Sequence, residues 1–160
     1  MEKFHFKSNV AYIPFQKRLF KYTNALLLLI VLGVQVLGLL VLAFTFAPYM
    51  VFLAIFLSLG IFINYYFFSK WVRFYLEEIS IDTQSKMCYI KYYDKDMPRK
   101  EQISLGDLDI RLEAIYVKGG NKPKLCIYKN KQLIVSQLCG VGYWNKDICE
   151  EMAFSYKNYQ

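Results

Sequence analysis

The chain has 160 residues, of which 56% are apolar and 18% aromatic, and its formal net charge is +7. Because a soluble fold of this length needs fewer apolar residues, the composition predicts that part of the chain lies in another solvent. The charge does not indicate a nucleic-acid partner, since residues 74–160 carry 13 basic against 12 acidic side chains and no basic face or binding motif.

Residues 1–22 are predicted to form a basic, aromatic cytoplasmic arm. Phe4 and Phe6 flank His5 in an alternating pattern, which would let this stretch pair as an edge strand with a later sheet. From Pro14 onward, apolar and basic residues separate onto two helical faces. This second stretch is either a short interfacial helix or the early start of a longer helix.

The next region is uncharged, because no Asp, Glu, Lys, Arg or His occurs in the 47 residues from Thr23 to Ser69. As one helix it would be roughly 70 Å long, more than twice the roughly 30 Å hydrocarbon core of a bilayer. Pro48 offers a place to fold back. The sequence therefore predicts a two-helix transmembrane hairpin over residues 23–69, with spans near 23–45 and 48–69.

Basic residues flank both ends of this hairpin and are absent from its turn, which predicts a multi-pass inner-membrane protein with both termini cytoplasmic. Membrane lipids would then be partners of the side chains at the interface. The predicted membrane-interface residues are Lys17, Arg18, Lys21, Tyr22, Lys70, Trp71 and Arg73.

Few polar residues interrupt the predicted spans. A turn near residue 48 would place Gln35 at about the depth of Gly60, with Asn64 one turn further along. The simpler interpretation is helix packing, in which the glycine allows close approach. The alternative is a polar path in a small oligomeric channel or transport accessory.

From Phe74 the apolar period changes from helical to alternating, with turn residues at short intervals. Such short connections predict an antiparallel meander. The predicted strands are 74–81, 87–93, 101–105, 110–118, 124–129 and 132–138. A C-terminal helix is predicted over residues 146–157, because Asn145 suits an N-cap and an apolar stripe follows it.

Short antiparallel strands closed by one amphipathic helix resemble pleckstrin-homology-like (PH-like) domains. With the preceding hairpin, the chain resembles small bacterial membrane proteins of the YcxB-like group. The segments EISIDTQSKMCYIKYYD, EQISLGDLDIRLEAIYVK and KLCIYKNKQLIVSQ carry this resemblance. It implies an α+β membrane protein whose transmembrane hairpin precedes a cytoplasmic PH-like β-domain at residues 74–160. It implies little about function, because PH-like folds host lipid, peptide and structural roles.

No catalytic, metal or cofactor site is predicted. The one histidine, His5, lies far in sequence from the β-rich region, which argues against a nucleophile and base pair. The cysteines have wide spacings and no CxxC pair, so we expect reduced, mostly buried thiols and no zinc. They are Cys88, Cys126, Cys139 and Cys149.

These observations predict a non-enzymatic, membrane-tethered interaction module that binds a protein partner or associates with itself, as an immunity or accessory protein would. One alternative is the channel or transport accessory described above. Another is an anionic-lipid-sensing module that uses basic residues on turns of the β-domain. The predicted ligand or partner loops carry Lys118, Lys122, Lys124, Lys129 and Lys131.

Overall fold

The computed structural model describes residues 4–23, 32–38, 40–41, 48–117 and 120–159. The chain divides into two units, one made of Met1–Phe15 with Trp71–Gln160 and the other of Gln16–Lys70. The helices are α1 (Phe15–Thr23), α2 (Pro48–Trp71) and α3 (Lys146–Lys157), and residues 32–38 and 40–41 are also helical.

Two antiparallel sheets form the β-rich unit. The four-stranded sheet has the order β1-β2-β3-β4, and the three-stranded sheet has the order β5-β6-β7. The strands are β1 (His5–Lys7), β2 (Phe74–Asp82), β3 (Met87–Asp94), β4 (Met97–Ser104), β5 (Leu108–Val117), β6 (Gly120–Lys129) and β7 (Gln132–Leu138).

The predicted transmembrane hairpin is wrong. A bilayer crossing needs about 20 predominantly apolar residues in one helix. Within the described ranges, no helix combines the length and the apolarity that a crossing requires. In this apolar region the described helical residues are 32–38, 40–41 and α2. The multi-pass inner-membrane location and the cytoplasmic termini derived from that hairpin are therefore not supported.

The predicted meander of strands and the C-terminal helix are confirmed. Asn145 caps α3, because its Oδ1 accepts a hydrogen bond from the Ile148 N–H at 2.8 Å. The predicted start of β4 is wrong by four residues, since β4 begins at Met97 after the two-residue turn Lys95–Asp96, in which Lys95 has φ +56°. Pro98 fits in this strand because β4 is the outer strand of its sheet and can spare an N–H.

The core of this unit lies between the two sheets and α3, and a polar link crosses it. The β2 ladder has an irregularity between Leu76 and Glu78. There the Leu76 N–H donates to Oε1 of Gln137 at 2.8 Å, and the Leu76 carbonyl accepts from Nε1 of Trp144 at 2.5 Å. All three side chains are buried. The two buried backbone groups of Leu76 in the four-stranded sheet are thus paired with side chains of β7 and of the segment after it. The bond to Trp144 holds the start of α3 in place.

The N-terminal arm joins the first sheet, as its alternating pattern suggested. β1 pairs antiparallel with β2, and Phe4 just before it is buried in the core. The arm then crosses the β3–β4 turn, where Asp96 accepts hydrogen bonds from the Tyr12 hydroxyl at 2.5 Å and from the Phe15 N–H at 2.8 Å. Residues from both ends of the chain thus build one unit.

In the second unit a polar contact joins the helical residues 32–38 to α2. Nε2 of Gln35 donates to Oγ of Ser58 at 2.9 Å. Gln35 therefore meets Ser58, whereas the sequence placed it opposite Gly60. Asn64 instead bonds within its own helix, donating to the Gly60 carbonyl at 2.8 Å.

Candidate functional site

The outer edge of β5 is the first part of the candidate site. In the described sheet, β5 pairs only with β6. Asn130 N–H donates to the Asp107 carbonyl at 2.9 Å, and Leu108 is opposite Lys129. In an antiparallel ladder, this makes Leu108 and every second residue after it turn their backbone groups away from β6. Leu112 and Ala114 therefore present N–H and C=O groups along the open part of the edge, whereas Ile110 is buried.

Helix α3 lies beside this edge and is fixed there by its buried face. Cys149, Met152 and Tyr156 are buried at one-turn spacings, as the predicted stripe required. The Tyr156 hydroxyl donates to the Leu108 carbonyl, which is the first outward group of the β5 edge. The helix thus covers the β5 edge at Leu108. The later residues of β5 lie beside the face of α3 that carries Phe154.

Between β5 and α3 runs an apolar groove of about 420 Å³. Ile110 and Leu112 line it from the strand, and Ala153 and Phe154 line it from the helix. Phe154 is 70% exposed, although it is the largest side chain of the groove. An extended chain lying here could pair with the strand edge and place an apolar side chain against Phe154.

Charged residues form the rim of the groove, namely Arg111 on the strand and Glu150 and Lys157 on the helix. Arg111 lies 3.6 Å from the Asp109 carboxylate and 3.5 Å from that of Glu113. Its guanidinium also covers the Tyr128 ring, 4.4 Å from the centroid. These contacts hold Arg111 in position and offset its positive charge with two carboxylates.

Tyr128 and Glu113 form a second polar pair under Arg111. The Tyr128 hydroxyl donates to the Glu113 carboxylate. This hydrogen bond lowers the pKa of Glu113 and is the main reason that the pKa of Tyr128 rises to about 12. At neutral pH the pair is therefore a carboxylate with a neutral phenol, which leaves no proton poised for transfer.

The residues predicted at a membrane interface differ in how far they are covered. Lys17, Lys21 and Lys70 are exposed, whereas Arg18 is buried and Trp71 partly so. Tyr22 has a side chain outside the described set. These exposures neither support nor contradict the common role predicted for them.

Arg73 has a role within the β-rich unit. Its guanidinium donates twice to the Asp94 carboxylate, at 2.5 and 2.6 Å. The hydrogen bond from Arg73 lowers the pKa of Asp94. This pair ties the start of β2 to the end of β3.

The predicted basic loops are spread along one strand. Lys122 and Lys124 lie in β6, Lys129 ends it, and Lys131 lies in the turn that follows. At about 3.4 Å per residue, Lys122 and Lys131 are more than 20 Å apart along β6. Lys118 falls outside the described residues. The described lysines therefore do not converge on one ligand.

His5, Cys88 and Cys126 show no arrangement for nucleophilic catalysis. Nε2 of His5 lies 2.9 Å from Oε1 of Glu78, which anchors β1 to β2. The four cysteines are free and buried, as expected from their spacing. Burial raises the pKa of Cys88 and of Cys126 to about 12, so both stay protonated thiols. Among the described residues, no three His, Cys, Asp or Glu are grouped to hold a metal ion.

The sequence interpretation missed the groove. One signal was present, since Phe154 falls outside the apolar stripe of the C-terminal helix and so predicted an exposed aromatic side chain. The position of β5 at a sheet edge had no such signal, because strand order is decided by long-range pairing.

No protein-family model, curated protein or solved structure matches this chain. The resemblance to YcxB-like proteins with a PH-like domain therefore stays a prediction. Function has to be argued from the groove itself.

Proposed function

We propose that this chain is a non-enzymatic interaction module that binds an extended segment of a protein partner in the groove between β5 and α3. The observation that supports it is the open edge of β5 directly beside an apolar groove that contains the exposed Phe154. Edge pairing and a side-chain groove are the two parts that strand-addition binding uses.

In this mechanism the partner backbone would pair with the outward groups of Leu112 and Ala114. Main-chain hydrogen bonds supply affinity without sequence preference, so selectivity has to come from side chains. Alternate partner residues would face the groove, since side chains in a strand alternate with a period of two. An apolar or aromatic residue would pack against Phe154.

The test begins with selection of a displayed library of random linear peptides on the full chain. Selected peptides are then titrated calorimetrically against Phe154→Ala and against Leu133→Ala. Leu133 is the matched control, because it is an exposed apolar residue on β7 and lies outside the groove. We expect Phe154→Ala to weaken binding about tenfold or more and Leu133→Ala to leave it unchanged.

A second arm tests strand pairing. N-methylation of alternate amides in a selected peptide should abolish binding in one register and spare it in the other, because only every second N–H faces the β5 edge. Failure to select any peptide, or equal binding by the two protein variants, would reject the proposal.

A further inference from the structure

The α2 helix exposes far more apolar surface than its own unit covers. Among its described side chains, nine large apolar or aromatic residues are 44–74% exposed. At about 150–250 Å² for a whole aromatic side chain, these fractions leave on the order of 1,000 Å² uncovered. Monomers rarely expose a patch above about 300–600 Å², and each partner in a stable complex buries about 800 Å². The exposed apolar surface of α2 therefore exceeds what a monomer usually leaves uncovered, and a single face described below carries somewhat more than half of it.

Exposed apolar residues surround most of α2, so exposure alone does not show which face binds a partner. Residue spacing does distinguish one face. It carries a continuous stripe of residues at steps of three or four, namely Phe52, Phe56, Leu59, Ile63 and Phe67. This stripe lies on the side of α2 away from Ile61 and Phe68, which are partly covered. It is the face left open when α2 packs through Ser58 onto Gln35.

Gly60 borders this stripe at the centre of α2, and nothing among the described residues requires glycine there. Among the described atoms, nothing lies within 4 Å of a Cβ built on Gly60. Its φ is not positive, so its backbone does not require glycine either. Glycine is a poor helix former, and its use here is explained if another surface must approach the helix closely at this point.

The stripe is also symmetric about the point between Leu59 and Gly60. A two-fold axis there places Phe52 opposite Phe67 of a second copy and Phe56 opposite its Ile63. It also places Leu59 of each copy over Gly60 of the other, so that a large side chain meets the space above a small one. A self-complementary surface of this kind is what an isologous dimer requires.

Charge favours the same antiparallel arrangement. The described part of α2 is uncharged except for Lys70 in its last turn. In an antiparallel pair the two Lys70 residues would lie about 30 Å apart, and the two helix dipoles would oppose each other. In a parallel pair the lysines would be neighbours and would repel.

We infer that the Phe52–Phe67 stripe of α2 is a self-association surface that binds a second copy of this chain as an antiparallel, two-fold helix pair. This inference does not depend on the peptide-binding groove, which lies in the other unit. It assigns to α2 a contact between copies and leaves the groove free for a different partner.

The first experiment compares three variants of the full chain by sedimentation equilibrium. Gly60→Leu should prevent close approach and leave a monomer. Phe56→Ala should raise the dimer Kd about tenfold or more, whereas Phe62→Ala should leave it unchanged. Phe62 is a matched control, because it is 67% exposed against 74% for Phe56 and lies about a quarter turn from the stripe. Circular dichroism would confirm that each variant stays folded, and the two alanine variants decide the question if Gly60→Leu does not fold.

Disulfide crosslinking then tests the direction of the pair. Chains carrying Phe52→Cys should crosslink to chains carrying Phe67→Cys and not to themselves, since the two Phe52 positions would be about 22 Å apart. The wild-type chain, whose cysteines are buried, is the background control. The inference is overturned by a monomer at all concentrations, by equal effects of Phe56→Ala and Phe62→Ala, or by crosslinking of Phe52→Cys chains to themselves. A wild-type monomer that purifies with bound lipid or an unrelated protein on this helix would overturn it as well.

Discussion

At the residue scale, Leu76 shows how the two sheets are joined. Both of its backbone groups leave the β2 ladder at an irregularity and bind the side chains of Gln137 and Trp144. Because Leu76 is fully buried, water cannot replace either partner. The Gln137 side chain is therefore the acceptor for a buried backbone N–H, that of Leu76, on the other sheet.

Replacing Gln137 by leucine should lower the free energy of unfolding by about 1–3 kcal/mol, because the buried Leu76 N–H loses its acceptor. Chemical denaturation of the full chain measures this value. Gln132→Leu is the matched control, since Gln132 lies in the same strand and is exposed. Equal losses in the two variants would contradict the role of the polar link.

The pKa of Glu78, which binds His5 of β1, predicts how the stability of the β-rich unit changes with pH. Hydrogen bonds from Lys91 and from His5 lower the pKa of Glu78 from 4.5 to about 2. A carboxyl whose pKa is lower in the folded state stabilises fully above pH 4.5, and this contribution is lost as pH falls toward 2.

The wild-type chain should therefore lose more stability between pH 4.5 and 2 than Glu78→Gln does. Thermal denaturation at a series of pH values measures the difference. Glu77→Gln removes a carboxylate from the same strand and should keep the wild-type profile. A Glu78→Gln profile parallel to that of the wild type would disprove the linkage.

At the scale of elements, α3 depends on its first turn for position as well as stability. The Asn145 side chain caps the helix, and Trp144 immediately before it is fully buried. The cap and the buried ring together fix where the helix leaves β7. They therefore fix the wall of the groove that carries Phe154.

Asn145→Ala should lower the free energy of unfolding by about 1 kcal/mol, because the Ile148 N–H loses its capping acceptor. Asn158→Ala at the other end of α3 is the control, since that residue contributes its backbone N–H to the helix end. Denaturation curves of the two variants give the comparison. A larger loss for Asn158→Ala would contradict the capping argument.

Local patterns predicted most of the β-rich unit and little of the site. The turn at Asn130–Lys131 was visible in the sequence, and both residues adopt positive φ there. The start of β4 was missed because Pro98 reads as a turn residue, although an edge strand tolerates it. The groove depends on which strand lies at an edge and on where α3 docks, and neither is a local property. Apolar composition misled the interpretation of residues 23–69.

At the scale of the whole molecule, the β-rich unit is assembled from distant parts of the sequence. His5 and Glu78 are 73 residues apart and bond directly. Phe4 lies in the core, and its ring is 5.6 Å from that of Tyr159 near the other end of the chain. The first strand therefore depends on a partner strand that is distant in the sequence.

Phe4→Ala should lower the free energy of unfolding of this unit by about 3 kcal/mol, because a buried aromatic side chain is lost from the core. Val10→Ala is the comparison, since Val10 lies in the same arm and is 46% exposed. Denaturation followed by tryptophan fluorescence reports on this unit, because Trp71 and Trp144 both belong to it. Similar losses for the two variants would show that the arm is not part of the core.

The outer strand of the four-stranded sheet bears on how copies of this chain behave when crowded. β4 begins with four exposed residues, of which Pro98 cannot donate a hydrogen bond and Arg99 and Lys100 are cationic. Strand edges of this kind resist pairing with other chains. Molecules that meet through β4 while folding will thus separate again, so this edge protects the chain against aggregation into extended fibrils.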